Sequence, residues 1–337
     1  MLKILYPALR TAIVATFLFC SSTAASHACA GNWSCFTEAH IRDGRVVDDY
    51  QNITHSEGQG YGMLLAVHNG DRRSFDEIWS RTRTEMSRSD GLFSWKTQDG
   101  RKLDANNASD GDILIAWALL RAGETWDSSY SDLGKGIVRS IRAHLIKNTD
   151  EGTVIIPGVN GFTNRGPVRS SMTINPSYWV WPALEAFAVA DPSPVWQAVQ
   201  KTGINILDRA GDNKQQLVPD WVSWPSLKPT EPSTRFSYDS MRIPLYLIWA
   251  GRSHRSLRDC ERYWSNSDRA WIDIPTGAEA GYAASIEHKA VLTLIRRALG
   301  DRTLSRQDLP RITTSNGYYS SVVVLLADLV WSERFKN

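Results

Sequence analysis

Three acidic residues lie at the start of apolar, helix-length segments of the sequence: Glu57, Asp110 and Asp239. The segments are 56–67, 109–122 and 238–251. An acid at a helix N-terminus is favoured by the helix dipole, so any one of them alone is more simply explained as a structural feature. If the three helices share a direction, however, their N-terminal ends meet at one mouth. Carboxylates 53 and 129 residues apart would then converge on one cleft.

Paired carboxyl groups are the minimal apparatus for hydrolysing a glycosidic bond. One donates a proton to the leaving oxygen, and the other activates water. A proton donor needs a raised pKa, whereas the helix N-terminus at Glu57 favours the carboxylate. We expect Asp110 and an apolar wall to raise the Glu57 pKa by more than the dipole lowers it.

The first turn of the segment that carries Glu57 has two further features. Ser56 is predicted to cap the helix, with Gln59 completing a capping box. Gly58, Gly60 and Gly62 each cost about 1 kcal/mol in a helix relative to alanine. We expect these glycines to clear the cleft floor, so that a bulky substrate can approach the backbone.

Apolar and amphipathic helical segments alternate along the chain. Apolar segments that resemble those above are 175–189, 282–295 and 318–331, the clearest amphipathic ones are 74–87 and 130–148, and the clearest strand is 152–158. Helices that are apolar all round must be buried, and amphipathic ones must cover them. This pattern predicts an all-α fold with inner and outer helices, closing as an α/α barrel. A helical solenoid stays open as an alternative, although no repeat of fixed period is evident.

The N-terminus has the pattern of a secretory signal peptide. Lys3 and Arg10 precede the apolar run 11–19, and small residues follow up to cleavage sites after Ala28 or Ala30. The run is about half of the ~20 residues that a membrane span needs. We therefore predict a secreted or periplasmic bacterial protein, with no membrane segment in its mature form.

Removal of the predicted signal peptide, residues 1–28 with 30 as the alternative end, leaves a single expected domain over 31–337. The full chain has 38 Lys and Arg against 36 Asp and Glu, and removal takes away two cations. A balanced mature chain argues against nucleic acid as a partner.

The cysteines and histidines suggest no metal site or organic cofactor. There is no CxxC pair and no HExxH motif. A Cys29–Cys35 or a Cys35–Cys260 disulfide is compatible with export, and the sequence does not choose between them.

Four segments together resemble the active-site segments of glycoside hydrolase family 8, formerly cellulase family D. They are SEGQGYGM (56–63), ASDGDILIAWALLRAGETW (108–126), NPSY (175–178) and YDSMR (238–242). The resemblance implies an (α/α)6 barrel with a few short strands in its loops. It also implies hydrolysis of internal β-1,4 bonds in cellulose-like chains, with inversion of anomeric configuration.

The resemblance also assigns roles by position. Glu57 matches the general acid, and Asp239 matches the general base that activates water. Asp110 matches an aspartate labelled a nucleophile in the family signature. An inverting reaction forms no covalent intermediate, so we assign Asp110 to sugar binding and to tuning Glu57. Three residues match positions that hold the sugar and orient the base or its water: Tyr178, Tyr238 and Arg242.

The chain has 14 tryptophans among 34 aromatic residues. Trp117 and Trp249 lie within apolar segments and are predicted to be core residues. Trp95, Trp221 and Trp181 lie beside polar or helix-opening sequence, where a pyranose face could stack on them.

The resemblance therefore implies an endo-β-1,4-glucanase with a β-1,4-glucan as its substrate. It also implies a role in editing glucan during bacterial cellulose synthesis, with the cellulose synthase machinery as partner. Chitosanase, xylanase and mixed-linkage glucanase activities remain alternatives, as does a non-catalytic glucan-binding protein. The balanced charge weighs mildly against the polycation chitosan.

Overall fold

The computed structural model describes residues 29–163 and 171–335. The predicted signal peptide, residues 1–28, lies outside the described residues. Within them the α-helices are α1 Asn32–His40, α2 Ser56–His68, α3 Arg72–Met86, α4 Ser109–Thr125, α5 Ser128–His144, α6 Trp181–Ala190, α7 Pro194–Ala210, α8 Arg242–Trp249, α9 Arg255–Asn266, α10 Ile286–Ala298 and α11 Tyr318–Arg334. The strands are β1 Ile41–Arg42, β2 Arg45–Val46, β3 Thr54–His55, β4 Ser94–Gln98, β5 Arg101–Asn107, β6 Ile146–Thr149, β7 Gly152–Ile155, β8 Met172–Ile174, β9 Val222–Trp224, β10 Arg235–Phe236 and β11 Ile272–Asp273.

The inner helices close into a ring. Helix α2 packs against α4, α4 against α6, α6 against α8, α8 against α10, α10 against α11, and α11 returns to α2. The α2, α4, α8 and α11 helices are buried almost all round, as the sequence predicted. Helices α3, α5, α7 and α9 each bury one face and cover the ring from outside. The expected all-α barrel of (α/α)6 type is confirmed.

The strands form small ribbons in the loops between helices. The β3, β4 and β5 strands make one three-stranded sheet, and the other named strands pair in twos. The ribbon of β8 and β9 matters most for function, because its Ile174–Val222 pair places Asn175 and Trp221 side by side at one end. Asn175 belongs to the segment 175–178, and Trp221 belongs to the segment 219–222.

The glycines of α2 serve helix packing, so the prediction that they clear a cleft floor is wrong. A Cβ on Gly60 would lie 2.5 Å from the Leu114 Cβ of α4. A Cβ on Gly62 would lie 2.6 Å from Val46, and one on Gly58 would lie 2.8 Å from the Tyr318 hydroxyl oxygen. Their missing side chains allow α2 to lie close against its neighbours.

The predicted capping box at Ser56 is also wrong. His55 is the residue before the helix, and Ser56 is its first residue, fully buried. The Gln59 side chain points into the core, where it accepts from the Val46 N–H at 2.6 Å and donates to Thr82 Oγ1 at 2.8 Å. A buried glutamine must satisfy its amide, and here backbone and side-chain groups of neighbouring elements do so.

Cys29 and Cys35 form a disulfide, and Cys260 is free and buried. Signal cleavage after Ala30 would remove Cys29, so the disulfide is compatible only with the earlier cleavage site. None of the helices in the described ranges is long and apolar enough to cross a bilayer.

Candidate active site

The three predicted carboxylates converge on one guanidinium group. Glu57 extends from the first turn of α2, Asp110 from the first turn of α4, and Asp239 from the turn that precedes α8. Arg242, the first residue of α8, contacts Glu57 Oε1 through Nη1 and lies 2.7 Å from Asp239 Oδ1 through Nη2. The same Nη1 is 3.8 Å from Asp110 Oδ2. One buried cation therefore links all three carboxylates.

The carboxylates differ in how far they are open to solvent. The Asp110 side chain keeps 6% of its exposure, against 22% for Glu57 and 30% for Asp239. Glu57 and Asp239 are thus more open to solvent than Asp110.

Two tyrosines that the sequence analysis did not single out complete the Glu57 side of the site. The Tyr61 hydroxyl accepts from Arg242 Nη1 at 2.9 Å, and lies 3.5 Å from Glu57 Oε1 and 2.5 Å from the Tyr246 hydroxyl. Tyr61 lies four residues after Glu57, on the same face of α2, so helical spacing could have identified it.

The Asp239 side of the site is built by the β8–β9 ribbon. The Trp221 indole N–H donates to Asp239 Oδ2 at 3.1 Å. Ser177 accepts from Arg242 Nη2 at 3.2 Å, and the Ser177 hydroxyl itself donates to Asn175 Oδ1. The ribbon therefore positions both the carboxylate and the arginine that pairs with it.

A fourth aspartate, Asp220, lies directly before Trp221 and is 1% exposed. Its carboxylate accepts from the backbone N–H groups of Ser237 and Ser240 and from the hydroxyls of Ser233 and Ser237. The sequence analysis quoted the segment 219–222 but gave Asp220 no role.

Burial shifts the pKa values of the aspartates upward. Desolvation raises the pKa of Asp110 to about 7, against hydrogen bonds from its own helix turn. Desolvation also raises the pKa of Asp239 well above its usual value, and the charges of Asp220 and Asp110 add to that rise. A base with a raised pKa takes a proton more readily from water at a given pH.

Asp112, two residues after Asp110, does a different job. Its carboxylate accepts from the Phe93 N–H and from Asn107 Nδ2, both at 2.8 Å. It thereby ties the hairpin of β4 and β5 to α4, and it is fully buried.

The predicted sugar-stacking tryptophans have different surroundings. Trp95 is partly exposed, and its ring stacks on His55 with an interplanar angle of 7°. Trp221 is only 9% exposed and stacks on Phe162. Trp181 is fully buried, so the prediction that it stacks on a sugar is wrong.

The two tryptophans predicted to be core residues are confirmed. Trp117 and Trp249 are 5% and 4% exposed and pack against each other, with ring centroids 4.6 Å apart. The Trp249 indole N–H, the polar group of that side chain, donates to Glu333 and so has a partner despite its burial.

The two predicted tyrosines differ in their exposure to solvent. Tyr178 is buried, with its ring edge against Trp221. Tyr238 is 41% exposed, and its hydroxyl lies 3.3 Å from that of Tyr282. Tyr50, Tyr238 and Tyr282 line a groove of about 890 Å³.

Known proteins resemble this chain over almost its whole length. The model of Glycosyl hydrolases family 8 matches residues 6–333. The chain is 34% identical over 336 residues to a probable endoglucanase of Novacetimonas hansenii, covering 92% of each chain. It is 30% identical over 358 residues to an endoglucanase of Escherichia coli K12, covering 97% of this chain and 94% of that one.

Solved structures share the fold of this chain. An endo-β-1,4-glucanase from Acetobacter xylinum superposes with a TM-score of 0.81 and 32% identity, covering 90% of this chain and 98% of that one. A reducing-end-xylose releasing exo-oligoxylanase, 19% identical, shares the fold with a TM-score of 0.74 over 88% of this chain and 87% of that one.

Proposed function

The chain belongs to glycosyl hydrolases family 8, and from this we propose that it is an endo-β-1,4-glucanase that cleaves internal bonds of cellulose-like glucans with inversion. The observation that carries the proposal is the convergence of Glu57, Asp110 and Asp239 on Arg242. The relatives and structures that cover most of the chain at 30% identity or more bear endoglucanase names.

In the proposed reaction Glu57 donates its proton to the glycosidic oxygen as the bond to the anomeric carbon breaks. A water molecule attacks that carbon from the opposite face, and Asp239 takes the proton that the water loses. The products are a new reducing end and a new non-reducing end, and both carboxyl groups return to their starting states by exchange with solvent. Inversion predicts a separation of about 6.5–9.5 Å between the two carboxyl groups, which leaves room for the water.

The acid role of Glu57 depends on breaking its contact with Arg242. The contact with this guanidinium and the N-terminus of α2 both favour the Glu57 carboxylate. Asp110, beside the same nitrogen, opposes them when it is ionised. Glu57 therefore becomes a proton donor when a bound glycosidic oxygen replaces its contact with Arg242, which stays paired with Asp239.

Asp110 is proposed to bind and distort the sugar at the cleavage point. Tyr178, Tyr238 and Arg242 hold this sugar and orient the base. Trp95 offers a partly exposed ring for a more distant sugar. Trp221, being 91% buried, contributes through its hydrogen bond to Asp239 more than through an open stacking face.

We propose export to the periplasm or the medium, directed by the N-terminal signal pattern, and a single catalytic domain over 31–337. Editing of nascent glucan beside a cellulose synthase rests on the resemblance to glucanases that accompany bacterial cellulose synthesis. Xylanase, chitosanase and mixed-linkage glucanase activities of the same family are the alternatives.

The test is product analysis on carboxymethylcellulose, xylan, chitosan and mixed-linkage glucan. The wild type should cleave carboxymethylcellulose fastest, and Glu57→Gln should lose activity on every polymer while still binding glucan. The control is Glu85→Gln, because Glu85 is also a glutamate paired with an arginine, Arg45, but has no place in the proposed active site. Faster release of products from xylan or chitosan than from carboxymethylcellulose would contradict the assigned substrate. Full activity of Glu57→Gln would contradict the assignment of Glu57 as the general acid.

A further inference from the structure

Asp220 is a buried carboxylate that the proposed mechanism does not use. It accepts four hydrogen bonds, two at each oxygen. Oδ1 accepts from the N–H groups of Ser237 and Ser240, both at 3.0 Å. Oδ2 accepts from the hydroxyl of Ser233 at 2.9 Å and from that of Ser237.

The two backbone donors flank the general base in sequence. Residues 237–241 form the turn that precedes α8, and Asp239 lies between the two N–H groups that Asp220 accepts. A turn outside any helix or strand leaves its N–H groups in need of partners. Asp220 supplies one acceptor for both, so the position of the Asp239 backbone depends on it.

The next residue along the chain holds the side chain. Trp221 donates to Asp239 Oδ2, while Asp220 holds the backbone on either side of Asp239. The Asp220 N–H also donates to the Arg235 carbonyl at 2.6 Å, which fixes this segment to the strand just before the turn.

We propose that Asp220 is a positioning residue for the general base: it anchors the 237–240 turn so that the Asp239 carboxylate is held facing the cleft. This inference rests on the proposed function, in which Asp239 is the base. Asp220 touches neither the substrate nor the water, and it acts only through Asp239.

The same arrangement gives Asp220 an electrostatic effect. Burial raises the pKa of Asp220, and its four donors oppose that rise by favouring the ionised form. Its charge is one of the causes that raise the pKa of Asp239, after burial. The other charged groups that face Asp239 are Asp110, which acts in the same direction, and Arg242, which acts against it.

The neutral groups that face Asp239 come from three other elements. Trp221 and Asn175 lie at the end of the β8–β9 ribbon, and both lower the pKa of Asp239 by hydrogen bonding. Tyr178 follows Asn175, and Tyr319 lies on α11; burial holds the pKa of both hydroxyls well above the usual value. Because the Asp220 charge raises the pKa of Asp239, removing that charge lowers the Asp239 pKa.

The experiment compares Asp220→Asn with the wild type in kcat, KM and the pH dependence of kcat/KM on a soluble cello-oligosaccharide. The amide keeps the size of the side chain but replaces one acceptor oxygen with a donor. We expect kcat to fall roughly 100-fold, as for a misplaced catalytic group, with KM little changed. The acid limb of kcat/KM should move to lower pH, because it reports the base in the free enzyme.

The matched control is Asp112→Asn, a second fully buried aspartate that accepts a backbone N–H and has no contact with Asp239. It should lower the melting temperature and leave the acid limb in place. The inference is overturned if Asp220→Asn also lowers only the melting temperature, while the folded variant keeps the wild-type kcat and the wild-type acid limb of kcat/KM.

A milder variant covers the case in which Asp220→Asn does not fold. Ser237→Ala removes one hydroxyl donor and keeps the backbone donors, so kcat should fall several-fold with KM unchanged. Wild-type kcat in Ser237→Ala would then overturn the inference.

The Asp239→Asn variant distinguishes failure of the proposed function from failure of this inference. If Asp239→Asn stays active, the proposed function fails. If Asp239→Asn is inactive and Asp220→Asn behaves like the wild type, only the role of Asp220 is refuted.

Discussion

The two sides of the cleft hold their catalytic carboxyl groups in different ways. Glu57 extends from a helix whose backbone lies directly against α4, with Gly60 facing Leu114 and Gly111 facing Ser56. Asp239 lies in a turn and is held by hydrogen bonds from two side chains, those of Trp221 and Arg242. Backbone packing therefore fixes the acid, whereas a polar network fixes the base.

The difference predicts where each side is vulnerable. The acid side should be sensitive to volume added between helices, because a close-packed interface cannot absorb it. The base side should be sensitive to the loss of single polar atoms, each of which changes both the position and the pKa of Asp239.

The largest effect is expected at the base itself. Asp239→Asn keeps the shape of the side chain but cannot take a proton from water, so kcat should fall about 10²–10⁴-fold. The melting temperature should change little, because the side chain is 30% exposed and loses no packing. Activity on carboxymethylcellulose and a thermal melt measure the two quantities. Retained activity would remove Asp239 from the base role.

On the acid side, Gly60→Ala should destabilise the protein by about 1–3 kcal/mol, because the added Cβ would lie 2.5 Å from the Leu114 Cβ. The free energy of unfolding in urea measures this. Gly136→Ala is the control, since Gly136 lies in α5 and a Cβ there has no heavy atom within 4 Å. That variant should gain about 0.5–1 kcal/mol. Equal effects of the two substitutions would contradict the packing account.

The Trp221→Phe substitution tests the polar network with a smaller effect. It removes the N–H that favours the charged form of Asp239, so the Asp239 pKa should rise. The acid limb of kcat/KM should then move to higher pH, opposite to the shift expected for Asp220→Asn. A pH–rate profile on the same oligosaccharide checks the sign. A shift to lower pH would show that the hydrogen bond does not act on the base.

The smallest effect is expected at Trp95, outside both carboxylate sites. Loss of one stacking ring in Trp95→Ala should weaken the binding of long cello-oligosaccharides by about 1 kcal/mol, and that of short ones less. Calorimetric titration with oligosaccharides of increasing length measures this. If the melting temperature falls steeply while affinity in the folded protein is unchanged, the ring supports His55 and binds no sugar.

The sequence predicted the barrel and the convergence of the three carboxylates because both follow from local patterns. Apolar helices must be inside, and an acid at the start of each reaches the same mouth. The sequence did not predict what Gly60 and Gln59 do, because their partners are 54 and 23 residues away and only tertiary packing identifies them. Asp220 was missed for the same reason, since its donors lie 13 to 20 residues further along the chain.

The central claim is that Glu57 and Asp239 act from opposite faces of the scissile bond. Proton NMR of the anomeric region during hydrolysis of a cello-oligosaccharide tests it most directly. The account predicts that the α-anomer of the new reducing end appears first and then mutarotates towards equilibrium. Initial appearance of the β-anomer would show retention, and would contradict the assignment of an acid and a base that share no covalent intermediate.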